Sequence, residues 1–210
     1  VHRYASDGMI ITMLLHMTRH FAFDKYRGFR WFSWITGVIL IWLVYITGIN
    51  GFMLVWDKLA QFVTVSTAEL LDWIPIFKGV VIRNFIFEGH VNDRLFTLLA
   101  FVHLGAPLLV LMVMWIHVQR VPRAHTNPPK AIALWVTATF LILSLVRPVV
   151  SQGPANLSVE VGALDFDWFY LPIFPLIYSW DPLKLWIACA GITLIALALP
   201  WLPPARTGKG

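Results

Sequence analysis

The stretch HLGAPLLVLMVMWIH, residues 103–117, places a histidine at each end of thirteen mostly apolar residues. This apolar character predicts a helix that crosses a membrane, since about 20 such residues span the hydrocarbon of a bilayer. The stretch HRYASDGMIITMLLH, residues 2–16, repeats the same interval between its two histidines. Polar groups inside a membrane are costly and usually mark function, so the two histidine pairs are the first candidates for a site.

The composition of the whole chain agrees with a membrane location. Of its 210 residues, 59% are hydrophobic and 13% are charged. A soluble domain of this size would need more polar residues to cover its core. We therefore predict an integral membrane protein of the all-α class, built as a polytopic helical bundle. The single cysteine, Cys189, permits neither an internal disulfide nor a Cys-x-x-Cys-His haem attachment.

Hydropathy predicts five membrane spans, with proline-containing segments between several of them. The spans cover residues 2–21, 31–56, 95–118, 132–146 and 183–202. Two long connections, residues 57–93 and 147–182, are rich in apolar and aromatic residues but too short to cross the membrane. For these connections we predict short helices that lie at the membrane surface.

The distribution of charge predicts the orientation of the chain. With five spans, residues 19–30, residues 119–131 and the C-terminus lie on one side, which has nine Lys and Arg and one carboxylate, Asp24. The other side has seven cations and ten carboxylates. The positive-inside rule then places the basic loops and the C-terminus in the cytoplasm, and the aromatic connections in the periplasm of a bacterial inner membrane. The net charge of +5 therefore needs no nucleic-acid partner. The nine cations are Arg19, Lys25, Arg27, Arg30, Arg120, Arg123, Lys130, Arg206 and Lys209.

The spacing of the four histidines predicts two metal-binding pairs. Fourteen residues correspond to roughly 21 Å along a helix and return the side chain to nearly the same face. The first and third spans run in the same direction, so His2 is level with His103 and His16 with His117. Two imidazoles on opposite sides of one iron suit a six-coordinate haem used for electron transfer, whereas zinc would need four ligands. The alternative is that each histidine is a hydrogen-bonded residue of the helix bundle.

Two glycines in the second span repeat the histidine interval. Gly37 and Gly51 are also fourteen residues apart, in GVILIWLVYITGING. Glycine allows a flat macrocycle to approach a helix backbone, so these positions would suit two haems at two depths. Helix–helix packing by small residues is the alternative.

Together these motifs resemble the cytochrome b family of the bc1 and b6f complexes over essentially the whole chain. Besides the two intervals, proline follows the third histidine by four residues (Pro107) and arginine follows the second by three (Arg19). GFMLVW at 51–56 resembles the family stretch that enters its outer quinol-site helices, and DWFY at 167–170 resembles its Pro-Glu-Trp-Tyr motif.

The resemblance implies two haem b groups in a four-helix bundle and a quinone or quinol substrate. His2 and His103 would hold the outer haem, and His16 and His117 the inner one. Arg19 would meet a propionate of the inner haem.

At the outer quinone site, the resemblance implies that Asp167 stands where the family has its proton-accepting glutamate, and that Trp168 matches the motif's tryptophan. A carboxylate in an apolar, quinone-sized pocket suits a proton acceptor. Asp165 lies two residues away in the same aromatic loop, and the alternative for Asp167 is a helix cap in a surface loop.

The resemblance also implies a division of the chain and a set of partners. Residues 1–128 would form the diheme-binding part, and residues 129–210 a C-terminal part that completes the quinone site. An iron–sulfur protein of the Rieske or another type, a c-type cytochrome, or both, would be the redox partners, and lipid would surround the bundle.

Several positions depart from the family pattern. Phe166, Phe169 and Val55 replace the motif proline, its tyrosine and the proline before the tryptophan, and Arg94 lies farther upstream of His103 than in the family. The family's first helix has no counterpart in the sequence. We therefore expect one wall of the bundle to come from sequence before Val1 or from another subunit.

Three histidines lie outside the pairs. His20 and His125 are predicted at the cytoplasmic edge, where an inner quinone pocket is one possibility, and His90 is predicted in a periplasmic loop.

The predicted function is transmembrane electron transfer by a subunit of a quinol/quinone oxidoreductase complex. One alternative is a membrane-anchor cytochrome b of a periplasmic dehydrogenase or reductase that does not bifurcate electrons. A second, from another class, is a haem-free transporter or assembly subunit.

Overall fold

The computed structural model describes residues 1–87, 90–91, 93–122 and 124–203, and in that part of the chain the fold is helical. The α-helices are α1 (His2–Ala22), α2 (Trp31–Val55), α3 (Lys58–Asp72), α4 (Val80–Phe85), α5 (Asp93–Val118), α6 (Lys130–Val146), α7 (Phe174–Ser179) and α8 (Pro182–Ala198). The 3₁₀ helices Gly28–Arg30 and Leu199–Trp201 precede α2 and follow α8. Two short antiparallel strands, β1 (Ile86–Phe87) and β2 (His90–Val91), lie between α4 and α5. The predicted all-α class is confirmed.

Each of the five predicted spans is a helix in the structure, namely α1, α2, α5, α6 and α8. Among the described residues, three stretches are long and apolar enough to cross a membrane: Gly28–Val55, Asp93–Val118 and Pro182–Trp201. Only 22%, 11% and 6% of their most apolar windows is buried. Apolar helices this exposed are typical of a lipid-facing protein and not of a soluble core. We therefore describe the chain as a multi-pass membrane protein.

Helices α1 and α6 are the less apolar or shorter members of the set. Helix α1 has 21 residues, long enough to cross a bilayer, but it contains Arg3, Asp7 and Arg19. Helix α6 has 17 residues, about 26 Å of helix. The two helices pack against each other, and a Cβ atom added at Gly8 would lie 2.7 Å from the Phe140 ring. This glycine therefore allows the close approach of α1 and α6.

A sharp turn joins α2 to α3. Trp56 adopts a left-handed backbone conformation with φ of 52°, which ends α2. Asp57 then caps α3, because its Oδ1 accepts a hydrogen bond from the Ala60 N–H at 2.9 Å. Its Oδ2 accepts from the Gln152 N–H, also at 2.9 Å. One carboxylate thus fixes both the start of α3 and the second long connection.

The second connection is attached to α3 at a further point. The Gln61 amide donates to the Asn156 carbonyl at 2.9 Å and accepts from the Asn156 N–H at 2.7 Å. The helices predicted within the two connections are confirmed as α3, α4 and α7. The connections therefore form an ordered layer that covers the end of α2.

The main core lies at this end of the molecule, where α2, α3, α5 and the second connection meet. We call it the main cluster. Its buried members are Ile10, Val44, Met53, Leu59, Val63, Leu95, Leu99, Tyr170, Leu171, Phe174, Ile177 and Leu185.

A smaller core lies at the other end of α2. Its buried members are Tyr26, Trp34 and Val38. The Trp34 indole N–H donates to the Ala196 carbonyl at 2.7 Å, which connects α2 to α8. We call this the minor cluster.

The predicted boundary at residues 128–129 falls between α5 and α6. Helices from the two predicted parts pack against each other, α6 on α1 and α8 on α2. The division into two parts therefore stays a prediction. Of the nine cations that orient the chain, Arg123, Arg206 and Lys209 lie outside the described residues.

Candidate functional site

The four histidines of the two motifs come together as the sequence predicts. The ring centroids of His2 and His103 lie 6.1 Å apart, and those of His16 and His117 lie 6.4 Å apart. Helices α1 and α5 therefore run in the same direction with their histidines at matched depths. The angles between the ring planes are 68° and 61°.

These separations fit one metal ion between each pair of rings. Two imidazoles that bind a metal from opposite sides, each at about 2 Å, have centroids about 6 Å apart. Within the described residues, no group of three or more His, Cys, Asp and Glu side chains converges on one point. A four-ligand zinc site is therefore not formed there, whereas a metal that takes its other ligands from a macrocycle fits the two-histidine donor set.

The orientation of His103 is fixed by the main chain of α2. Its Nδ1 lies 3.0 Å from the Thr47 carbonyl oxygen. A carbonyl oxygen only accepts hydrogen bonds, so Nδ1 carries the proton and Nε2 keeps a free lone pair. A metal-binding histidine usually donates a hydrogen bond from its other ring nitrogen in this way.

His117 is fixed by a side chain of α2. Its Nδ1 lies 2.8 Å from Thr36 Oγ1, and the same hydroxyl lies 2.9 Å from the Phe32 carbonyl. The hydroxyl hydrogen is directed to the carbonyl, so Oγ1 accepts from the Nδ1–H of His117. The Nε2 atom of His117 is therefore also free to bind a metal. The two histidines of α5 have the same tautomer for different structural reasons.

The two predicted glycines lie beside the histidines of α5. A Cβ atom added at Gly51 would lie 2.8 Å from Cε1 of His103, and one added at Gly37 would lie 3.5 Å from Cε1 of His117. The first distance is too short for a real contact, and the second is ordinary packing. The two glycines of α2 thus have the same spacing as the two histidines of α5 because each glycine lies beside one histidine. Of the two glycines, Gly51 is the one that a larger side chain could not replace without a clash.

Arg19 and Pro107 occupy the positions that the sequence predicts. Arg19 is exposed in the last turn of α1, three residues beyond His16. Pro107 lies inside α5, four residues beyond His103. Because proline lacks an N–H, the helical hydrogen bond to the His103 carbonyl is missing. A haem-related role for either residue stays a prediction.

Asp167 lies buried next to the His2 end of α1, whereas Trp168 is exposed. Oδ1 of Asp167 accepts from the Phe169 N–H at 2.9 Å and from the Tyr170 N–H, and Oδ2 is in close contact with the Arg3 guanidinium. Trp168 has 54% of its surface exposed. The proton-accepting role of Asp167 stays a prediction, and its carboxylate is already fully engaged within the protein.

The remaining histidines differ in their surroundings. The His20 ring lies 4.5 Å from the His16 ring, so this histidine adjoins one of the pairs. His125 is exposed between α5 and α6. The side chain of His90 lies outside the described part of the structure.

Sequence reasoning missed several residues that shape the site. Thr36 positions His117, Arg3 binds Asp167, and Gly48 accommodates Tyr170, whose ring would lie 1.9 Å from a Cβ atom at that position. A second glycine three residues before Gly51 was a signal for close packing on α2. Asp167, which contacts Arg3, and Tyr170, which packs at Gly48, lie more than a hundred residues away from them and give no local signal.

A family model and three related proteins all place the chain with cytochromes b and b6. Residues 7–145 match the family described as cytochrome b (N-terminal)/b6/petB. The protein named cytochrome b/c1 from Bradyrhizobium diazoefficiens is 25% identical, over 99% of this chain and 34% of its own length. Two proteins named cytochrome b6 are 26% and 28% identical: that of Gracilaria tenuistipitata var. liui over 61% of this chain, and that of Emiliania huxleyi over 48%. The matches cover 60% and 46% of these two relatives. The chain thus spans between about a third and three fifths of the length of these relatives.

Proposed function

Because the chain belongs to the cytochrome b (N-terminal)/b6 family, we propose that it holds two b-type haems, one between each histidine pair, and carries electrons across a membrane. The observation that supports this most is the separation of 6.1 and 6.4 Å between the paired rings. Bound between two imidazoles, haem b supplies an iron that alternates between the ferric and ferrous states and so carries one electron at a time. A haem held by two histidines would have no open position for a substrate, so the site would suit electron transfer.

The protein's own residues would prepare these sites. The hydrogen bonds at Nδ1 of His103 and His117 leave Nε2 as the free ring nitrogen, and they would raise the basicity of the ligand. Gly51 leaves room for the His103 ring against α2. At about 1.5 Å per residue, the two pairs lie roughly 21 Å apart along α1, so electrons would pass most of the membrane's hydrocarbon thickness between them.

We further propose that this electron transfer is coupled to a quinone. In this proposal the chain is a subunit of a quinol/quinone oxidoreductase complex in a bacterial inner membrane. Trp168 and Asp167 belong to the quinone-binding end, and Arg19 binds a propionate of the haem between His16 and His117. The basic loops face the cytoplasm, and an iron–sulfur protein or a c-type cytochrome exchanges electrons at the opposite face. The name cytochrome b/c1 of one relative supports a cytochrome partner.

Single histidine substitutions test the haem proposal. We expect His16→Ala to remove the haem of its own pair and leave the other haem spectrally intact, and His103→Ala to do the reverse. Pyridine haemochrome assays and optical redox titration of the purified protein measure both. His125→Ala is the matched control, because that exposed histidine belongs to neither pair, and it should keep both haems. Equal loss of both haems from every variant, or no haem b in the wild-type protein, would contradict the proposal.

A second candidate function keeps the haems and changes the coupling. The chain would be the membrane anchor of a periplasmic dehydrogenase or reductase that does not bifurcate electrons. The engagement of Asp167 by Arg3 favours this candidate, because a carboxylate bound on both oxygens is poorly prepared to accept a proton. Oxidant-induced reduction of the b haems by quinol in the intact complex separates the two, since only a bifurcating site produces it.

A further inference from the structure

Three charged side chains meet where α1 touches the segment between α6 and α7. Arg3 Nε lies 3.3 Å from Asp7 Oδ2, and Nη2 of the same guanidinium is in close contact with Asp167 Oδ2. The guanidinium carbon also lies 4.7 Å from the centroid of the Phe52 ring on α2. We call Arg3, Asp7 and Asp167 the Arg3 cluster. One cation faces two carboxylates, so the cluster carries a net charge of −1 when both are ionised.

The two carboxylates of the Arg3 cluster are not equivalent. The side chain of Asp167 is 1% exposed, and each of its oxygens has a donor: Oδ1 accepts two backbone N–H groups and Oδ2 contacts Arg3. A proton could bind Asp167 only by displacing one of these donors. Asp167 is therefore held as a fixed counter-charge to Arg3, and it also anchors the second long connection to α1.

Asp7 has the opposite character. Its Oδ2 contacts only Arg3, and its Oδ1 is buried with no hydrogen-bond partner among the described residues. A buried carboxylate oxygen without a donor is costly, the more so near a second carboxylate. Binding a proton at Oδ1 would cancel the excess charge of the cluster without breaking a hydrogen bond.

The other polar groups around Asp7 do not compete for this role. Next to it in α1, Ser6 Oγ lies 2.8 Å from the Tyr170 hydroxyl, and burial raises the pKa of Tyr170, so that hydroxyl keeps its proton. On the α6 side, the Tyr4 hydroxyl donates to the Arg147 carbonyl at 2.6 Å. In the described part of the chain, the charged groups beside Asp7 are Arg3, which contacts it, and Asp167, which contacts the same guanidinium.

We propose that Asp7 is the proton-exchanging carboxyl at the His2 end of the protein and that Asp167 is its fixed, ionised partner. The source of the proton rests on the proposed function, in which a quinol binds near this end. One O–H bond of the quinol breaks, its proton binds Asp7 Oδ1, and the quinol is left as the monoanion. No electron moves in this step, and loss of the proton to water restores the carboxylate.

Infrared spectroscopy of the purified holoprotein tests this inference. Difference spectra are recorded between acidic and alkaline buffers for the wild type, Asp7→Asn, Asp167→Asn and the control Asp165→Asn, which changes an exposed carboxyl two residues from Asp167. We expect a band of a protonated, buried carboxyl in the wild type and in Asp165→Asn, and its loss in Asp7→Asn. In Asp167→Asn the band should persist but form only at a lower pH, because this change removes the excess negative charge of the cluster. Asp7→Glu should shift the band and not remove it, which covers the case in which Asp7→Asn fails to fold.

Two results would overturn the inference. One is a wild-type spectrum whose carboxyl bands are the same as those of Asp7→Asn. The other is a band that disappears in Asp167→Asn and survives in Asp7→Asn. The optical haem spectrum, recorded on the same samples, keeps the two proposals apart. A normal haem spectrum with no Asp7 band contradicts only the proton-exchange role, whereas the haem proposal fails on the histidine variants.

Discussion

The two ends of the histidine-bearing bundle are built in different ways. Around His2 and His103, the two long connections fold back on α2 and bury the main cluster, with Tyr170 only 2% exposed. Around His16 and His117, the buried set is the minor cluster, and the surrounding loops are basic and exposed. The two histidine pairs have nearly the same ring separation, but a large packed cluster lies at one end and a small one at the other. Changes at the His2 end should therefore affect the stability of the whole fold, and changes at the His16 end should affect its own site.

The largest expected effect comes from the residue that joins the second connection to α2. Tyr170→Ala removes a buried ring that packs at Gly48 and lies 6.0 Å from the Phe52 ring. We expect a loss of about 3–5 kcal/mol in the free energy of unfolding, as for other large buried aromatic side chains. Thermal unfolding in detergent, followed by circular dichroism, measures it. The matched control is Tyr26→Ala in the minor cluster, which should cost less. An equal or larger loss in Tyr26→Ala would remove the contrast between the two ends.

The second effect concerns the paired glycines of α2. Gly51→Ala forces a Cβ atom against the His103 ring, whereas the contact at Gly37 is an ordinary one. We expect Gly51→Ala to destabilise the site by about 1–3 kcal/mol and to weaken haem retention at the His2–His103 pair. Gly37→Ala should leave the His16–His117 pair nearly unchanged. Haem dissociation to an apo-globin acceptor, followed optically for both variants, compares them. The same dissociation rate in both would show that the steric difference has no consequence.

The third prediction uses the different orienting groups of the two α5 histidines. Thr36→Val removes the oxygen that accepts from His117, whereas Thr47→Val keeps the carbonyl that accepts from His103. We expect Thr36→Val to lower the haem affinity of the His16–His117 pair about tenfold or more, since orienting partners usually contribute that much. Thr47→Val should have little effect on either pair. Haem titration of the apoprotein, resolved at the two sites, checks this. A loss in both variants would mean that the orienting hydrogen bonds do not explain the difference.

The smallest effect is a pH dependence at the His2 end, outside the spanning helices. Burial and the 2.6 Å hydrogen bond to Glu69 raise the pKa of Tyr178. A group with a raised pKa in the folded state stabilises the protein fully below its unfolded pKa, and this stability is lost as the pH rises through the folded value. We therefore expect a small loss of thermal stability above about pH 10, and Tyr178→Phe should reduce it. An unchanged alkaline profile in Tyr178→Phe would contradict the assignment.

The sequence predicted those features that depend on local pattern. The helices lie close to the predicted spans, because a long apolar segment in a membrane must satisfy its backbone hydrogen bonds internally and forms a helix. The histidine pairing followed from one interval repeated in two co-directional helices. Both results needed only the periodicity of a helix and the length of a membrane span.

The support around the site was beyond this kind of reasoning. The contact of Arg3 with Asp167 joins residues 164 positions apart, and so does the hydrogen bond between Ser6 and Tyr170. No periodicity encodes such partners, because they depend on how the second connection folds back over α2. The predicted proton acceptor, Asp167, lies in the second long connection, and its engagement by Arg3 and two backbone N–H groups could be seen only in three dimensions.

The most direct test of the central claim is the electron paramagnetic resonance spectrum of the ferric holoprotein. Two haems, each between two imidazoles, predict two distinct low-spin signals. His16→Ala should abolish one signal and His103→Ala the other, with the remaining signal unchanged in each case. A single signal, a high-spin spectrum in the wild type, or the loss of both signals from either variant would contradict two separate bis-histidine sites.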